Sequence, residues 1–456
     1  MTPVAIVGGG ISGLTAAFYL QQRNIPVTLY ESSSRVGGVI QTATRDGFLV
    51  EGGPNTILES APEVSALVAD LDLKSRCLYP DPGMKARYIV RDGKAVRLPQ
   101  SPLAAIRTPL LSLRAKLRVL AEPLIPQGMA AGDEPLSSFV RRRLGTEFLD
   151  YLIDPFVGGV YAGDPDRLSV AHAFPKLYAL EQTYGSLIKG SILGARARRK
   201  RGGASKASAP MLSFDAGLHV LVDSLRIKLG NSLRLQTVVT GLKRDDAGWI
   251  LETSAGCSEK HSAVIMCAPA HHVAGMNLDG VPLKDLSPLG EVYYPPIARV
   301  ALAFRREQIA HSLDGFGVLI PKKEQMNTLG ILFTSSLFPN RAPQGYALLT
   351  AFLGGSRGQK TADAPDSAVL ELALADMRKL LGVTGRPVFE DVARVPLSIP
   401  QYNVGYGAVM AAIEGIEQRA PGVFIASSYR HGISVADCIV GGKAASGKVY
   451  DYVART

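Results

Sequence analysis

Hydrophobic positions open the chain in a block. Val4–Val7 is an unbroken apolar run, a glycine-rich turn follows, and Leu14, Ala17, Phe18 and Leu20 then recur at helical spacing. "VTLYE" closes the unit as a second apolar run. Short continuous runs of this kind suit parallel strands covered on both faces, and crossovers between such strands are right-handed. Segment 101–150 has another character: "LAAIRTPLLSLRAKLRVLAEPL" and "LSSFVRRRLGTEFLDYLIDPF" set arginines among helically spaced leucines. "RARRKRGGASKASAP", residues 196–210, reads as a basic, mobile loop. "LSFDAGLHVLVDSL" reads as a helix from Leu212, and "LRLQTVVTGLKRDDAGWILETS" and "SAVIMCAPA" as strands. Residues 291–400 alternate strand-like runs ("RVALAFRR", "GFGVLIP", "LGILFTSS", "YALLTAFLGG") with one helix near 365–382. The C-terminal "PGVFIASSYRHGISVADCIVGGKAASGKVYDYV" reads as strand, glycine turn and final helix. There is no internal repeat.

Composition bounds this picture without changing it. A chain of 456 residues is too long for one simple core and predicts two or three domains. The formal charge of +10 favours anionic partners such as membrane phosphates or acidic substrates. With few aromatics and no aromatic-basic interleaving, nucleic acid is not expected. The cysteines, Cys77, Cys257, Cys267 and Cys438, form no CxxC and suit buried thiols in a reducing compartment. The first strand begins at once after the initiator methionine, so no cleavable targeting segment is expected, and the absence of an 18-residue apolar run argues against a spanning helix. The expected location is cytoplasmic, with any membrane contact peripheral.

Gly8, Gly10 and Gly13 fit G-x-G-x-x-G. Alone that pattern is weak, but here it joins a buried strand to a helix and is followed by Glu31 at the end of the next strand. Bare glycines let backbone N–H groups approach a pyrophosphate at the positive end of a helix, and a carboxylate accepts from ribose hydroxyls. Glutamate at that place argues against a 2′-phosphate. The continuation Arg35, Gly37 and Gly38 supplies a second phosphate-facing corner, more than an NAD fingerprint needs, and points to FAD. A further pair, Gly52–Gly53, stands before Pro54–Asn55–Thr56. The adjacent His271 and His272 have no third partner for a metal, so no metal is expected.

These residues carry a resemblance. "GGGISGL" with "ESSSRVGG", "EGGPNT", "DPFVGGVYAGDPDRLSVAHAFP", "LEQTYGSLIKG", "FGVLIPKKEQ", "LFPNRAP" and "DCIVGGKAA" resemble the oxygen-dependent protoporphyrinogen oxidases over nearly the whole chain; these are FAD proteins of haem synthesis related to the flavin amine oxidases. The resemblance implies an α/β fold with a discontinuous Rossmann-like FAD domain (1–75, 206–285 and 405–456), an antiparallel-sheet substrate domain (76–94 and 286–404) and a helical membrane-binding domain (95–205). It implies that FAD meets Gly8, Gly9, Gly10, Ile11, Ser12, Gly13, Glu31, Ser32, Arg35, Gly38, Val39, Gly53, Pro54, Asn55, Thr56, Val238, Ile433, Ser434 and Val435. It places a propionate on Arg87 and the macrocycle among Leu319, Leu332 and Phe352, with Ala162 and Gly163 kept small beside it. Read from the residues alone, the three apolar residues are strand core, and the plainer alternative for Arg87 is a solvated surface arginine. Asn55 is the candidate catalytic residue; its plainer reading is a turn residue after Pro54.

The implied reaction is oxidation of protoporphyrinogen to protoporphyrin, with molecular oxygen as acceptor. Coproporphyrinogen oxidation and another FAD amine-oxidase chemistry are the alternatives. The implied partners are a porphyrinogen, oxygen and a peripheral membrane surface, the last supported by Arg107, Arg114, Lys116 and Arg118 and by the basic residues Arg196, Arg198, Arg199, Lys200, Arg201 and Lys206. The oligomeric state, a homodimer included, is left open.

Overall fold

The opening strand–turn–helix–strand unit forms as its apolar pattern predicts. The computed structural model describes residues 1–81, 83–84, 86–128, 132–200, 209–246 and 248–455, with the backbone alone for residues 102 and 195–200. Val4–Val7, fully buried, lies between Val27–Tyr30 and Val264–Met266 in a five-stranded sheet completed by Leu233–Arg234 and Val423–Ile425. All of its pairings are parallel, so every strand ends on one edge. The chain turns to one side after the first strand and fills the other side later, which puts a topological switch point beside Gly8.

The Ile11–Gln21 helix has no polar side. Nine of its eleven residues are buried, because the sheet and the His219–Leu229 and Val435–Val453 helices enclose it. A Cβ at Gly442 would stand 2.3 Å from the Ser12 carbonyl oxygen, so the two long helices approach backbone to backbone. The segment expected to be helical from Leu212 is instead a strand, Met211–Phe214, and the helix begins at His219. Pairing with Ile57–Leu58 and Cys77–Leu78 claims that strand, and Gly217 at φ +87° turns the chain before the helix.

A second sheet of seven strands, in the order Phe389–Val395, Ile297–Arg305, Tyr346–Gly354, Thr328–Leu332, Gly315–Leu319, Ala86–Arg91 and Lys94–Arg97, gathers residues far apart in sequence. It is antiparallel apart from the pairing of Ala86–Arg91 with Gly315–Leu319. One face is sealed by the Asp366–Leu381 helix, with Tyr88, Val300, Val318, Ile331, Ala351 and Leu353 in the shared core. The other face receives Phe48 and Val50 of the Thr42–Arg45/Phe48–Glu51 hairpin against Ala301, Ala303 and Leu348. That hairpin leads directly into Gly52–Thr56.

Helices make up most of the described residues between 102 and 200, with two π-helical turns, Leu149–Ile153 and Val157–Tyr161. Their anchor is polar. The fully buried Glu122 pairs with the fully buried Arg143 and accepts from Ser186 Oγ (2.6 Å) and the Leu187 and Ile188 amides (2.9 and 3.1 Å). One carboxylate thereby satisfies the open start of the next helix. That helix, Leu187–Lys200, carries Arg196–Lys200 on helical backbone, where a loop was expected; Arg201 and Lys206 lie outside the described residues.

Candidate active site

At the carboxyl edge of the parallel sheet the chain offers main-chain groups. Gly8 has φ +110°, and a Cβ there would stand 2.9 Å from Ala268 N; at Gly13 it would stand 2.0 Å from the Gly8 carbonyl oxygen. Those two glycines are required by the turn itself. Gly10 differs: its Cβ would meet nothing within 4 Å, and as N-cap of Ile11–Gln21 it makes no side-chain cap bond. An open space before an uncapped helix start fits a phosphate group. Glu31, 9% exposed, accepts from the Gly9 amide (2.7 Å) on one oxygen and the Ser33 amide (2.8 Å) on the other. It therefore fixes the turn as well as facing the edge. Ser32 Oγ lies 3.3 Å from the same carboxylate.

The second corner forms at Gly37 and Gly38, with φ of +104° and +57°. Arg35 does not point outward as a phosphate ligand; its guanidinium donates to the Val36 and Gly38 carbonyls (3.3 and 2.9 Å) and braces that corner. Val39, 52% exposed, is an apolar side chain left open on this edge. The Gly-Gly pair after Glu51 has an internal cause: a Cβ at Gly53 would stand 2.3 Å from the Val39 carbonyl oxygen, so these two loops touch main chain to main chain. Pro54 and Thr56 are half-buried there. Asn55 Nδ2 donates to the Gly53 carbonyl (3.1 Å), while its Oδ1 is buried with no partner among the described residues. An orphaned acceptor at this place fits a ring system bearing N–H groups.

Val238 lies in the extended link before Val239–Asp245, not in the strand. That link runs beside Glu31, with Thr237 N donating to the Glu31 carbonyl (2.9 Å). At the C-terminus Gly432 has φ +120°, Ile433 follows, and Ser434 caps the helix that starts at Val435. Ser434 Oγ accepts from the Asp437 amide (3.1 Å), so part of the helix's positive end is already engaged. His272 bonds the Val239 carbonyl (3.0 Å) and His271 meets Tyr294 edge-on; both are spent on packing. Of the cysteines, Cys257 is exposed and the others are half-buried, so the buried-thiol expectation fails for Cys257.

The seven-stranded sheet brings together the scattered apolar positions. Leu319 pairs with Gly330, Gly330 with Phe352 and Phe352 with Arg299, so they form one cross-strand row. The neighbouring row runs Arg87, Gly317, Leu332, Thr350. Side chains two apart share a face, so Arg87, Leu319, Leu332 and Phe352 all stand opposite the face covered by the Asp366–Leu381 helix. Leu319, Leu332 and Phe352 are half-buried where their neighbours Val318, Ile331 and Ala351 are 0–2% exposed. Glycine at 317 and 330 leaves this face flat. Arg87 is exposed, stands over the Phe316 ring at 5.8 Å, and has no carboxylate partner among the described residues. At the far end Arg299, 4% exposed, pairs with Asp391 at 2.6 Å.

Ala162 and Gly163 close one side of this face. Ala162, buried, adopts φ +51°, a left-handed conformation unusual for alanine. The Ser356 amide donates to its carbonyl (2.7 Å). Gly163 is small because the protein fills the space: a Cβ there would stand 2.6 Å from Gln401 Oε1. At Gly159 a Cβ would stand 2.3 Å from Leu319 Cδ2, so the π-helical turn rests on the sheet face. π-helical turns of this kind recur at functional sites.

Sequence reasoning missed Glu51, Gln401 and Tyr402. Glu51 is 2% exposed and accepts from Thr42 Oγ1 (2.6 Å) and Leu218 N (2.9 Å); burial pushes its carboxyl up to about 7 against those bonds and the nearby Arg341. Its place directly before a Gly-Gly pair was a signal. Gln401 and Tyr402 carry none.

Comparison with known proteins agrees with this geometry. Residues 11–449 match the family model for flavin containing amine oxidoreductase. The chain is 37% identical to "Protoporphyrinogen oxidase 2, chloroplastic/mitochondrial" of Arabidopsis thaliana, over 99% of this chain and 94% of that one. It is 32% identical to "Coproporphyrinogen III oxidase" of Bacillus subtilis (strain 168), over 99% and 98%. A crystal structure from Exiguobacterium sp. 255-15, provisionally assigned as a protoporphyrinogen oxidase, superposes with a TM-score of 0.82 at 25% identity, covering 98% of each chain. With a glycine-lined switch point, a nearly buried glutamate beside it and family similarity running through all three chain segments of the parallel sheet, this chain belongs to the flavin-containing amine oxidoreductases and takes FAD as its cofactor.

Proposed function

We propose that the chain oxidises protoporphyrinogen IX to protoporphyrin IX, passing electrons to oxygen in three two-electron rounds and yielding hydrogen peroxide. The observation that carries this reading is the sheet face itself. Arg87 stands about 10 Å, two strand spacings, from Leu332, so a flat apolar floor ends in one unpaired guanidinium among the described residues. A reduced tetrapyrrole with carboxylate tails has that shape and charge pattern, and an Arg fork matches a carboxylate.

Bound FAD supplies the acceptor for a hydride from an activated meso carbon. The chain's own task is then orientation. Leu319, Leu332 and Phe352 support one side of the macrocycle, and Arg87 holds a propionate and so selects which edge enters. Ala162 and Gly163 limit its slide, and Asn55 Oδ1 is the acceptor on offer to a pyrrole N–H or to the cofactor ring. Gly8–Gly13, Glu31, Ser32, Gly38, Val39 and Gly53–Thr56 form the cofactor's bed, with Val238 and Ile433–Val435 at its ends. Mixing purified protein aerobically with protoporphyrinogen IX should give porphyrin fluorescence and peroxide together. A protein that retains FAD yet produces neither overturns the reading. Coproporphyrinogen III is the second reading, favoured by the full-length Bacillus similarity, and the same assay separates the two.

Peripheral membrane docking is supported by the helical segment. No helix among the described residues is long and apolar enough to cross a membrane. Leu113, Leu117, Leu120 and Leu124 are 73%, 58%, 71% and 84% exposed, and their spacing forms an unpartnered stripe beside the exposed Leu103 and Ile106. Of the four basic residues in 107–118, two are turned inward. Lys116 donates to the Ile106 and Thr108 carbonyls and Arg118 to the Arg142 and Arg143 carbonyls, leaving Arg107 and Arg114 exposed. Leu117→Asp with Leu120→Asp should therefore abolish sedimentation with anionic liposomes at unchanged FAD content. Undiminished sedimentation removes the stripe from the docking surface.

A further inference from the structure

Between the flat sheet face and the cofactor edge runs the segment 399–404. It belongs to no sheet, yet it is tied on both sides. Gln401 N donates to the Tyr293 carbonyl (2.9 Å), Ser169 N to the Tyr402 carbonyl (2.8 Å) and Val404 N to the Arg167 carbonyl (2.8 Å). Gln401 and Tyr402 are 1% and 7% exposed. Such a segment holds its side chains at fixed positions.

The two side chains reach opposite neighbours. Gln401 Nε2 donates to the Tyr161 carbonyl (2.8 Å) and the Ile399 carbonyl (2.9 Å). Its Oε1 is buried without a partner among the described residues and occupies the space a Cβ would take at Gly163. Tyr402 works on the other side. Its hydroxyl donates to the Ser428 carbonyl and accepts from the Gly432 amide (3.0 Å). Burial raises the Tyr402 pKa, so this hydroxyl remains a donor across the working pH range. Its ring packs on Tyr406 at 4.4 Å, and Tyr406 Oη in turn donates to the Tyr429 carbonyl (2.6 Å).

We propose that Gln401 and Tyr402 are a pair of positioning residues that sets the gap between the Tyr161–Gly163 corner, beside the substrate face, and the Ser428–Ser434 turn, beside the cofactor. The proposal rests on the porphyrinogen reading above. Neither residue touches the reacting atoms. Two consecutive residues hold the Tyr161 carbonyl on one side and the Ser428 and Gly432 backbone on the other, so a shift of one is transmitted to the other through a single tethered segment. Displacement of about 1 Å between reacting groups costs on the order of a hundredfold in rate.

The test uses the holoenzyme. Tyr402→Phe removes one oxygen and leaves the Gly432 amide unpaired beside the cofactor. It should shift the bound flavin's absorption, lower kcat roughly 10- to 100-fold and leave KM within about threefold. Gln401→Leu keeps the volume and loses both donors. It should raise KM about tenfold at unchanged flavin absorption. Gln401→Glu tests the same contact in an isosteric residue, should the leucine variant not fold; its KM should fall towards wild type as pH drops and the acid regains a proton to donate to Tyr161. Because both side chains act on one gap, the double variant Gln401→Leu/Tyr402→Phe should lose less than the product of the single losses. Strictly multiplicative losses, or a Tyr402→Phe enzyme with wild-type flavin absorption and kcat, overturn the proposal. If the wild type turns over no porphyrinogen, the functional reading fails, and the flavin absorption and FAD affinity of Tyr402→Phe still decide whether Tyr402 positions the cofactor turn.

Discussion

The two walls of the proposed site are built on opposite principles. The parallel-sheet edge presents main chain: Gly8, Gly10 and Gly13 contribute by lacking a side chain, and all three come from one short stretch of sequence, although the space at Gly8 is closed by the distant Ala268. The seven-stranded sheet face presents side chains instead. Arg87, Leu319, Leu332 and Phe352 come from four strands, and only long-range register makes them adjacent. Recognition of a pyrophosphate needs bare amides at a helix start, which a short motif can encode. Recognition of a large flat apolar molecule needs area, and area is assembled by topology.

This difference should show first at Gly10. Its φ of −70° suits any residue and the space beyond it is open, so Gly10→Asp should fold normally. A carboxylate set against a phosphate at close range near the surface costs about 4 kcal/mol, roughly a thousandfold in FAD affinity. Titration of apoprotein with FAD, with circular dichroism as the control for folding, measures it. Wild-type affinity would mean that the open space is not where the phosphates sit.

The next effect belongs to the seam joining the walls. Glu51 ends the hairpin whose Phe48 and Val50 lie on the sheet face, and burial pushes its carboxyl from 4.5 up to about 7. The folded state therefore holds this proton more tightly than the unfolded chain does. Its contribution, of order 3 kcal/mol, is complete below about pH 4.5, declines as pH rises through about 7 and then levels off. Glu51→Gln should flatten that part of the stability profile, measured by thermal melting across pH. An unchanged profile would assign the slope to other groups.

On the sheet face single side chains matter less, because the area is shared. Arg87→Ala removes a charged hydrogen bond worth about 1.5–3 kcal/mol, a loss of roughly 10- to 150-fold in kcat/KM with FAD content kept. Unchanged kinetics would return Arg87 to the status of a surface charge.

The same contrast explains what could be read from the chain. The strand–helix–strand unit, the final strand and helix, and the runs of residues 291–400 were legible because their apolar patterns are local. The pattern around Met211–Phe214 suggests a helix instead, since its strand character comes from pairing with Ile57–Leu58 and Cys77–Leu78, over a hundred residues away. Taken alone, Leu319, Leu332 and Phe352 are indistinguishable from core; resemblance alone singles them out, and only register reveals that they share one face. The sequence suggests a phosphate-facing role for Arg35 and a membrane-facing one for Lys116, because it cannot show which carbonyl a long side chain folds back upon. Gln401 and Tyr402 left no trace, since nothing in their local pattern marks a residue that bridges two walls.

In the proposed reaction a porphyrinogen on the sheet face gives its electrons to the cofactor at the glycine edge. Anaerobic mixing of the FAD-loaded protein with protoporphyrinogen IX, followed by stopped-flow absorbance, tests it most directly. The yellow flavin absorption should be lost as porphyrin fluorescence rises, at a rate that saturates with substrate and with an apparent affinity weakened in Arg87→Ala. A flavin that stays oxidised with protoporphyrinogen IX and coproporphyrinogen III alike, yet bleaches with dithionite, would contradict it.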